Sequence, residues 1–218
     1  MITQQQTEQL ATWYKDPVAF INDCIFVSHP VHGSVELKLT DKQVNMINQI
    51  HHNKLILVAG SRQKGISIAL AAYTLWCNLF SSDTKTMYTS QNFSYTSDTR
   101  YKMMDMYGEL PTWLKQLVPI SINNKKHIQF DYRNNLLFGV TDGMCGKGQS
   151  LSMIVVENAQ YCKNLQEFLI CVYPCIASNK ESKIILSSTS EGPIDCTFND
   201  MVIDQIEGNN AWTLVEIY

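Results

Sequence analysis

Lys54-Leu55-Ile56-Leu57-Val58-Ala59 runs directly into Gly60-Ser61-Arg62-Gln63-Lys64-Gly65-Ile66-Ser67, and an Ala- and Leu-rich stretch follows to about Leu79. The first six residues form an apolar run of strand length, and the last stretch reads as a helix from roughly Ser67. A strand, a glycine-bearing loop and a helix in immediate succession make the geometry of a phosphate cradle. Backbone N–H groups of the loop and of the first helical turn face an anion there, and the helix dipole favours it. The general phosphate-loop pattern ends in Gly-Lys-Ser/Thr, with the lysine on the outer phosphates and the hydroxyl on Mg²⁺. Here the ending is Gly65-Ile66-Ser67, so the hydroxyl is present and the lysine is not. On this pattern alone, a structural turn is the better reading.

Outward from that stretch, strands and helices alternate. Residues 3–28 read as helical, with Trp13, Phe20 and Ile21 on a spaced apolar face and a restart at Asp16-Pro17. Trp13, Tyr14 and Phe20 are read as packing this segment on the core. Ser28 to Gly33 is a turn-rich connector. Leu39-Thr40-Asp41-Lys42-Gln43 opens a helix to about His52, with Thr40 or Asp41 as N-cap. Residues 86–90 predict a strand, followed by a long helix to about Tyr107, which Leu110-Pro111-Thr112-Trp113-Leu114 breaks. Residues 127–141 alternate as a hairpin around Arg133-Asn134-Asn135. Apolar strands follow at 152–156 and 183–187, with a helix near 164–177 between them and a last strand over 212–218. Strand interiors that are apolar throughout, separated by helices, imply a mainly parallel sheet covered on both faces. The expected organisation is an N-terminal helical segment and connector over residues 1–38, then one α/β core over 39–218.

The chain has 218 residues, 45% hydrophobic and 17% charged, and a net charge of −3. No global basic field is therefore available to hold nucleic acid by counterion release, and a DNA role needs a local basic patch or a partner chain. Lys125-Lys126-His127 and Lys163 are candidate phosphate contacts or plain solvated surface. The seven cysteines are scattered, and apart from Cys171 and Cys175 no close pair or Cys–His cluster suggests zinc. They read as reduced cysteines of a cytosolic protein. His51-His52, at a predicted helix end, read as surface histidines. Met1 to Gln6 lacks the charged and apolar regions of a signal peptide, and no window approaches the roughly 18 apolar residues of a membrane span.

Several segments taken in order point to a family. Ser61-Arg62-Gln63-Lys64-Gly65-Ile66-Ser67 resembles the Ser-Arg-Gln-x-Gly-x-Ser/Thr loop of tailed-bacteriophage large terminases, the subunits of DNA-packaging motors. Met153-Ile154-Val155-Val156-Glu157-Asn158-Ala159 is similar to their second nucleotide motif, an apolar strand ending in two acids. Ile184-Ile185-Leu186-Ser187-Ser188-Thr189 resembles their Ser/Thr-rich coupling motif, and Leu39 to Gln43 their adenine-recognition segment. Leu110 to Leu114 and Lys147-Gly148-Gln149-Ser150 fall at family-like places, so the resemblance covers roughly residues 14–218. It implies a P-loop NTPase-like α/β fold, with ATP and Mg²⁺ as ligands. By the same resemblance, Gln43 reads the adenine edge, and Ser61, Arg62, Gln63, Lys64 and Gly65 surround the phosphates. Ser67 and Glu157 hold Mg²⁺, and Ser188 and Thr189 couple loss of the γ-phosphate to movement. Implied partners are other terminase chains (a lid and nuclease part, or a small subunit), the portal, and DNA through the assembly. The implied setting is a homo- or hetero-oligomer in the cytoplasm of an infected bacterial host, with no membrane.

Three departures from that pattern bear on activity. Ile66 stands at the usual lysine position, and Gly60 at the alternative one just before Ser-Arg-Gln. Lys64, two residues early, either reaches phosphate on its flexible stem or faces solvent. Asn158 replaces the carboxylate that polarises the attacking water. An amide takes up no proton at neutral pH, and general-base assistance is worth about 10²–10⁴-fold in rate. Lys147 stands where the resemblance expects an arginine that reaches a neighbouring subunit's nucleotide; such fingers supply about 10³–10⁵-fold. Lysine keeps the charge and loses the bidentate fork. These effects act as a unit and do not add, but all three push towards binding without efficient hydrolysis. With the chain ending at Tyr218 and no spaced acids left for a two-metal site, the family's lid and nuclease domains are expected to be absent. Two readings stay open: an ATP-binding packaging-motor domain, and an impaired relative that acts by interaction or regulation. A piece of a split or truncated gene is a third.

Overall fold

The computed structural model describes residues 2–142, 148–177, 181–189 and 192–218. Two short helices, α1 (Gln4–Lys15) and α2 (Pro17–Cys24), open the chain. Each is started by local chemistry. Thr3 and Gln6 form a capping box on α1, while Asp16 caps α2 with Pro17 at its first position. The helical run expected to Ser28 stops at Cys24. β1 (Phe26–His29) pairs antiparallel with β2 (Gly33–Glu36) across the turn that was read as a connector. The switch follows from Ile25 and Val27, β-branched residues at the exit of α2, and from Gly33, whose φ of +70° closes the turn.

The remaining elements are α3 (Asp41–His52), β3 (Leu55–Gly60), α4 (Ile66–Phe80), β4 (Lys85–Ser90), α5 (Phe93–Glu109) and α6 (Thr112–Leu117). After them come β5 (Ile120–Asn123), β6 (His127–Phe130), β7 (Asn134–Val140), β8 (Met153–Glu157), α7 (Leu165–Ala177), β9 (Lys183–Thr189), α8 (Thr197–Ile206) and β10 (Thr213–Ile217). Eight strands form one sheet in the order β10-β3-β9-β8-β4-β7-β6-β5. The six from β10 to β7 are parallel, and β6 and β5 add an antiparallel edge. The mainly parallel sheet expected from the apolar strands is therefore present. β5 extends it, and α8 is a helix the sequence reading did not include, although Phe198, Met201 and Val202 already carry the helical spacing that marks it.

Alternation along the strands divides the core in two. Met153 and Val155 of β8 pack in the cluster formed with α1 to α5, whereas Ile154 and Val156 pack with α7 and α8. Trp13, Phe20 and Ile21 belong to the first cluster, so the N-terminal helices share a core with α4. α4 is apolar on nearly every face because it is enclosed between the sheet and α1, α2, α3 and α5. The chain leaves β3 through α4 and returns three places away at β4, with β9 and β8 inserted between them. Ligands of open α/β sheets bind beyond the C-terminal ends of strands at such a switch point.

Candidate functional site

The phosphate-loop residues lie at the C-terminal end of β3, and neighbouring elements brace them. Ser61 N–H donates to the Ile217 carbonyl of β10 at 2.9 Å. Gln43, in the first turn of α3, accepts from Thr40 N–H at 2.9 Å and donates through Nε2 to the Lys64 carbonyl at 2.9 Å. Its amide thus completes a capping box with Thr40 and holds the loop at the same time. Gly65 precedes α4 with φ +68°, and a Cβ there would lie 2.5 Å from Gln43 Nε2. Gln63 also has positive φ (+63°), a strained conformation for a side-chain-bearing residue. Arg62, Gln63 and Lys64 are exposed, while Ser67 is half-buried on the first turn of α4.

One lysine position of the family pattern holds a buried isoleucine, and the other is closed to any side chain. Ile66 is buried, and its Cδ1 lies 2.7 Å from where a Cβ on Gly60 would stand. The Ile217 carbonyl comes closer still. A side chain at Gly60 therefore has no room.

Glu157 ends β8 almost fully buried. Its Oε2 accepts from the Tyr88 hydroxyl of β4 at 3.1 Å and from the Thr99 hydroxyl of α5 at 3.0 Å. Burial pushes the Tyr88 hydroxyl well above the usual tyrosine range, and the neighbouring carboxylate adds to it. Asn158 follows in the left-handed region (φ 57°, ψ 43°) and opens a 3₁₀ turn over Ala159–Tyr161. Within that turn Gln160 is a buried hub. Its N–H donates to Ser188 Oγ at 3.3 Å, its Oε1 accepts from Ser188 Oγ at 3.3 Å and from Gly192 N–H at 3.1 Å, and its Nε2 donates to Asn199 Oδ1 at 2.6 Å. The Asn158 turn, the end of β9 and the start of α8 are thereby tied together.

A cleft of about 380 Å³ opens at these strand ends, lined by Arg62, Gln91, Tyr95, Asn158, Tyr161 and Thr189. It brings three of the sequence-predicted residues together: Arg62, Asn158 and Thr189. An adjoining hollow of about 420 Å³ shares Gln91 and Tyr161 and continues to Asn92, Asp142, Lys163 and Asn164. Gln43, Ser61, Gln63, Lys64, Gly65, Ser67, Glu157 and Ser188 line neither hollow. Lys147 lies outside the described residues, as does Cys145. A wider groove of about 870 Å³ between α7 and the opposite strand ends contains none of the motif residues. Sequence reading missed Gln91, Tyr95, Tyr161 and Gln160, along with the two hydroxyls on Glu157. Only Tyr88 carried a signal, because a tyrosine within an apolar strand needs a partner for its hydroxyl.

No group of three or more His, Cys, Asp or Glu gathers among the described residues. Mg²⁺ bound with a nucleotide needs few protein ligands, because phosphate oxygens and waters fill most of its octahedron. Ser67 and Glu157 offer oxygen donors only. By strand alternation Glu157 faces the same side of the sheet as α4, which carries Ser67. This donor set fits Mg²⁺. Among the described residues, no helix is long and apolar enough to cross a membrane.

No protein-family model matches the chain. Solved structures do. The large terminase of bacteriophage HK97 superposes with a TM-score of 0.75 at 14% identity, covering 94% of this chain and 43% of that one. The large terminase of a thermophilic bacteriophage, in complex with ADP, gives 0.62 at 11% identity, covering 82% and 45%. The ATPase domain of a Thermus phage large terminase gives 0.58 at 10% identity, covering 83% and 86%. The chain spans less than half the length of the first two. It has the fold of phage large-terminase ATPase domains.

Proposed function

We propose that this chain binds Mg·ATP at the C-terminal ends of β3, β8 and β9, as the ATPase-like domain of a phage DNA-packaging terminase, and hydrolyses it slowly. The observation that carries this reading is the convergence of Arg62, Asn158 and Thr189 on one cleft, in a fold shared with terminase ATPase domains. Loop N–H groups and the start of α4 take the phosphates, with Arg62 as a planar multi-donor beside them. Ser67 and Glu157 hold Mg²⁺, which neutralises phosphate charge. The Asn158 amide orients a water and cannot accept its proton. Arg62→Ala should abolish binding of a non-hydrolysable ATP analogue, measured by calorimetry with Mg²⁺. A wild-type protein that gives no binding heat contradicts the proposal.

A second reading is favoured by Ile66 and Gly60: a buried isoleucine stands at one lysine position, and its packing leaves no space for a side chain at the other. In it the chain is a non-hydrolysing terminase relative that occupies or regulates a motor position through other terminase chains or the portal, with DNA held by the assembly. A steady-state ATPase rate comparable to that of an intact motor would exclude this reading. Asn158→Glu combined with Ile66→Lys should raise turnover above that of either single variant.

A further inference from the structure

The surroundings of Glu157 hold more than its role as a metal ligand requires. The carboxylate is 6% exposed, and its described partners are two neutral hydroxyls, both on Oε2. The ion pairs seen among the described residues, Lys38–Glu36 and Arg133–Asp83, lie elsewhere on exposed side chains. Neutral donors satisfy the lone pairs of a buried carboxylate without supplying the opposite charge that a bound cation would bring. Tyr88 and Thr99 are themselves buried and come from different elements, β4 and α5. Two donors from two directions fix the carboxylate plane. Both hydroxyls engage Oε2, and no hydrogen bond falls on Oε1 among the described residues.

We infer that Tyr88 and Thr99 are positioning residues that aim Glu157 Oε1 at the nucleotide's Mg²⁺ and thereby set the Mg²⁺ requirement for nucleotide binding. This rests on the Mg·ATP reading above. Hydrogen-bond partners of a ligating carboxylate typically change metal affinity by about 10–100-fold when removed. A glutamate suits this task, because its longer arm reaches the α5 hydroxyl while its base stays on the strand end. The two donors also link the cation to α5, whose next residue, Arg100, donates through Nε to the Asn124 carbonyl at 2.8 Å in the β5–β6 turn.

The test is the Mg²⁺ concentration giving half-maximal binding of a fluorescent ATP analogue to the full chain, with thermal midpoints recorded without Mg²⁺. Thr99→Val and Tyr88→Phe should each raise that concentration about tenfold or more. Thr99→Ser, which keeps the hydroxyl, should stay near wild type. If the hydroxyls only satisfy a buried carboxylate, the variants lose thermal stability and keep the wild-type Mg²⁺ requirement, and the inference is overturned. Should Tyr88→Phe fail to fold, the nearly isosteric Thr99→Val decides. Wild-type protein that binds the analogue equally well in EDTA overturns the inference and leaves nucleotide binding standing. Wild-type protein that binds in neither condition overturns both.

Discussion

Gly60 and Ile66 act as one unit, because the isoleucine side chain and the Ile217 carbonyl fill the space that a residue at position 60 would use. Gly60→Ala should destabilise the fold by about 1–3 kcal/mol through overpacking, measured by urea unfolding; wild-type stability would contradict that contact. Asn158 is similarly matched to its backbone. At φ 57° an asparagine is tolerated where longer side chains are strained. Asn158→Glu should therefore lose about 1–2 kcal/mol in a denaturant titration, while Asn158→Gly stays close to wild type. The place of Asn158 directly after Glu157 was legible in the sequence, and its left-handed backbone was not. The Gly60–Ile66 fit was not, because its third member comes from the last strand, far away in sequence. Gln43 was expected to read an adenine edge; its observed partners are Thr40 and Lys64, which only the juxtaposition of α3 and the loop could disclose.

At the scale of elements, α3 is held at its C-terminal end by a lysine from β9. Lys183 Nζ donates to the carbonyls of Ile50 at 2.8 Å and His51 at 2.9 Å, and to the Tyr73 hydroxyl at 3.3 Å. This is a favourable place for a cation, at the negative end of the helix. Lys183→Met should cost about 1.5–3 kcal/mol, the range for charge-assisted hydrogen bonds, read as a lower thermal midpoint. The same lysine acts on His51, whose pKa is lowered first by burial and then by the Lys183 charge. Because the folded pKa lies below the unfolded value of 6.5, the unfolded chain binds more protons in the window between them. Stability should therefore fall as pH drops below about 6.5, where the unfolded chain takes up the proton, and level off once folded His51 is itself protonated. In Lys183→Met the His51 titration followed by NMR should move upward; an unmoved titration would contradict the coupling. Most elements were readable from pattern, since residues 55–60, 153–156 and 184–186 are apolar runs and α3 carries its capping box in Thr40 and Gln43. β1, β2 and β5 were not, because four-residue strands carry too few positions to show a period.

For the whole molecule, the order β10-β3-β9-β8-β4 places the loop after β3, the Glu157–Asn158 pair and the Ser188–Thr189 pair at the C-terminal ends of three adjacent parallel strands. That order belongs to the fold, so it stands while individual residues at the site change. The fold is that of terminase ATPase domains, and under the proposed function the departures at Ile66 and Asn158 weaken hydrolysis while loop N–H groups remain to take phosphate. The central expectation is retention of ATP without efficient turnover. A single-turnover experiment tests it most directly, with protein in excess over γ-labelled ATP in the presence of Mg²⁺. The label should stay bound as intact ATP, with a rate constant far below the roughly 1–10³ s⁻¹ of ordinary enzymes. Release of labelled phosphate within that ordinary range, or failure to retain ATP at all, would contradict it.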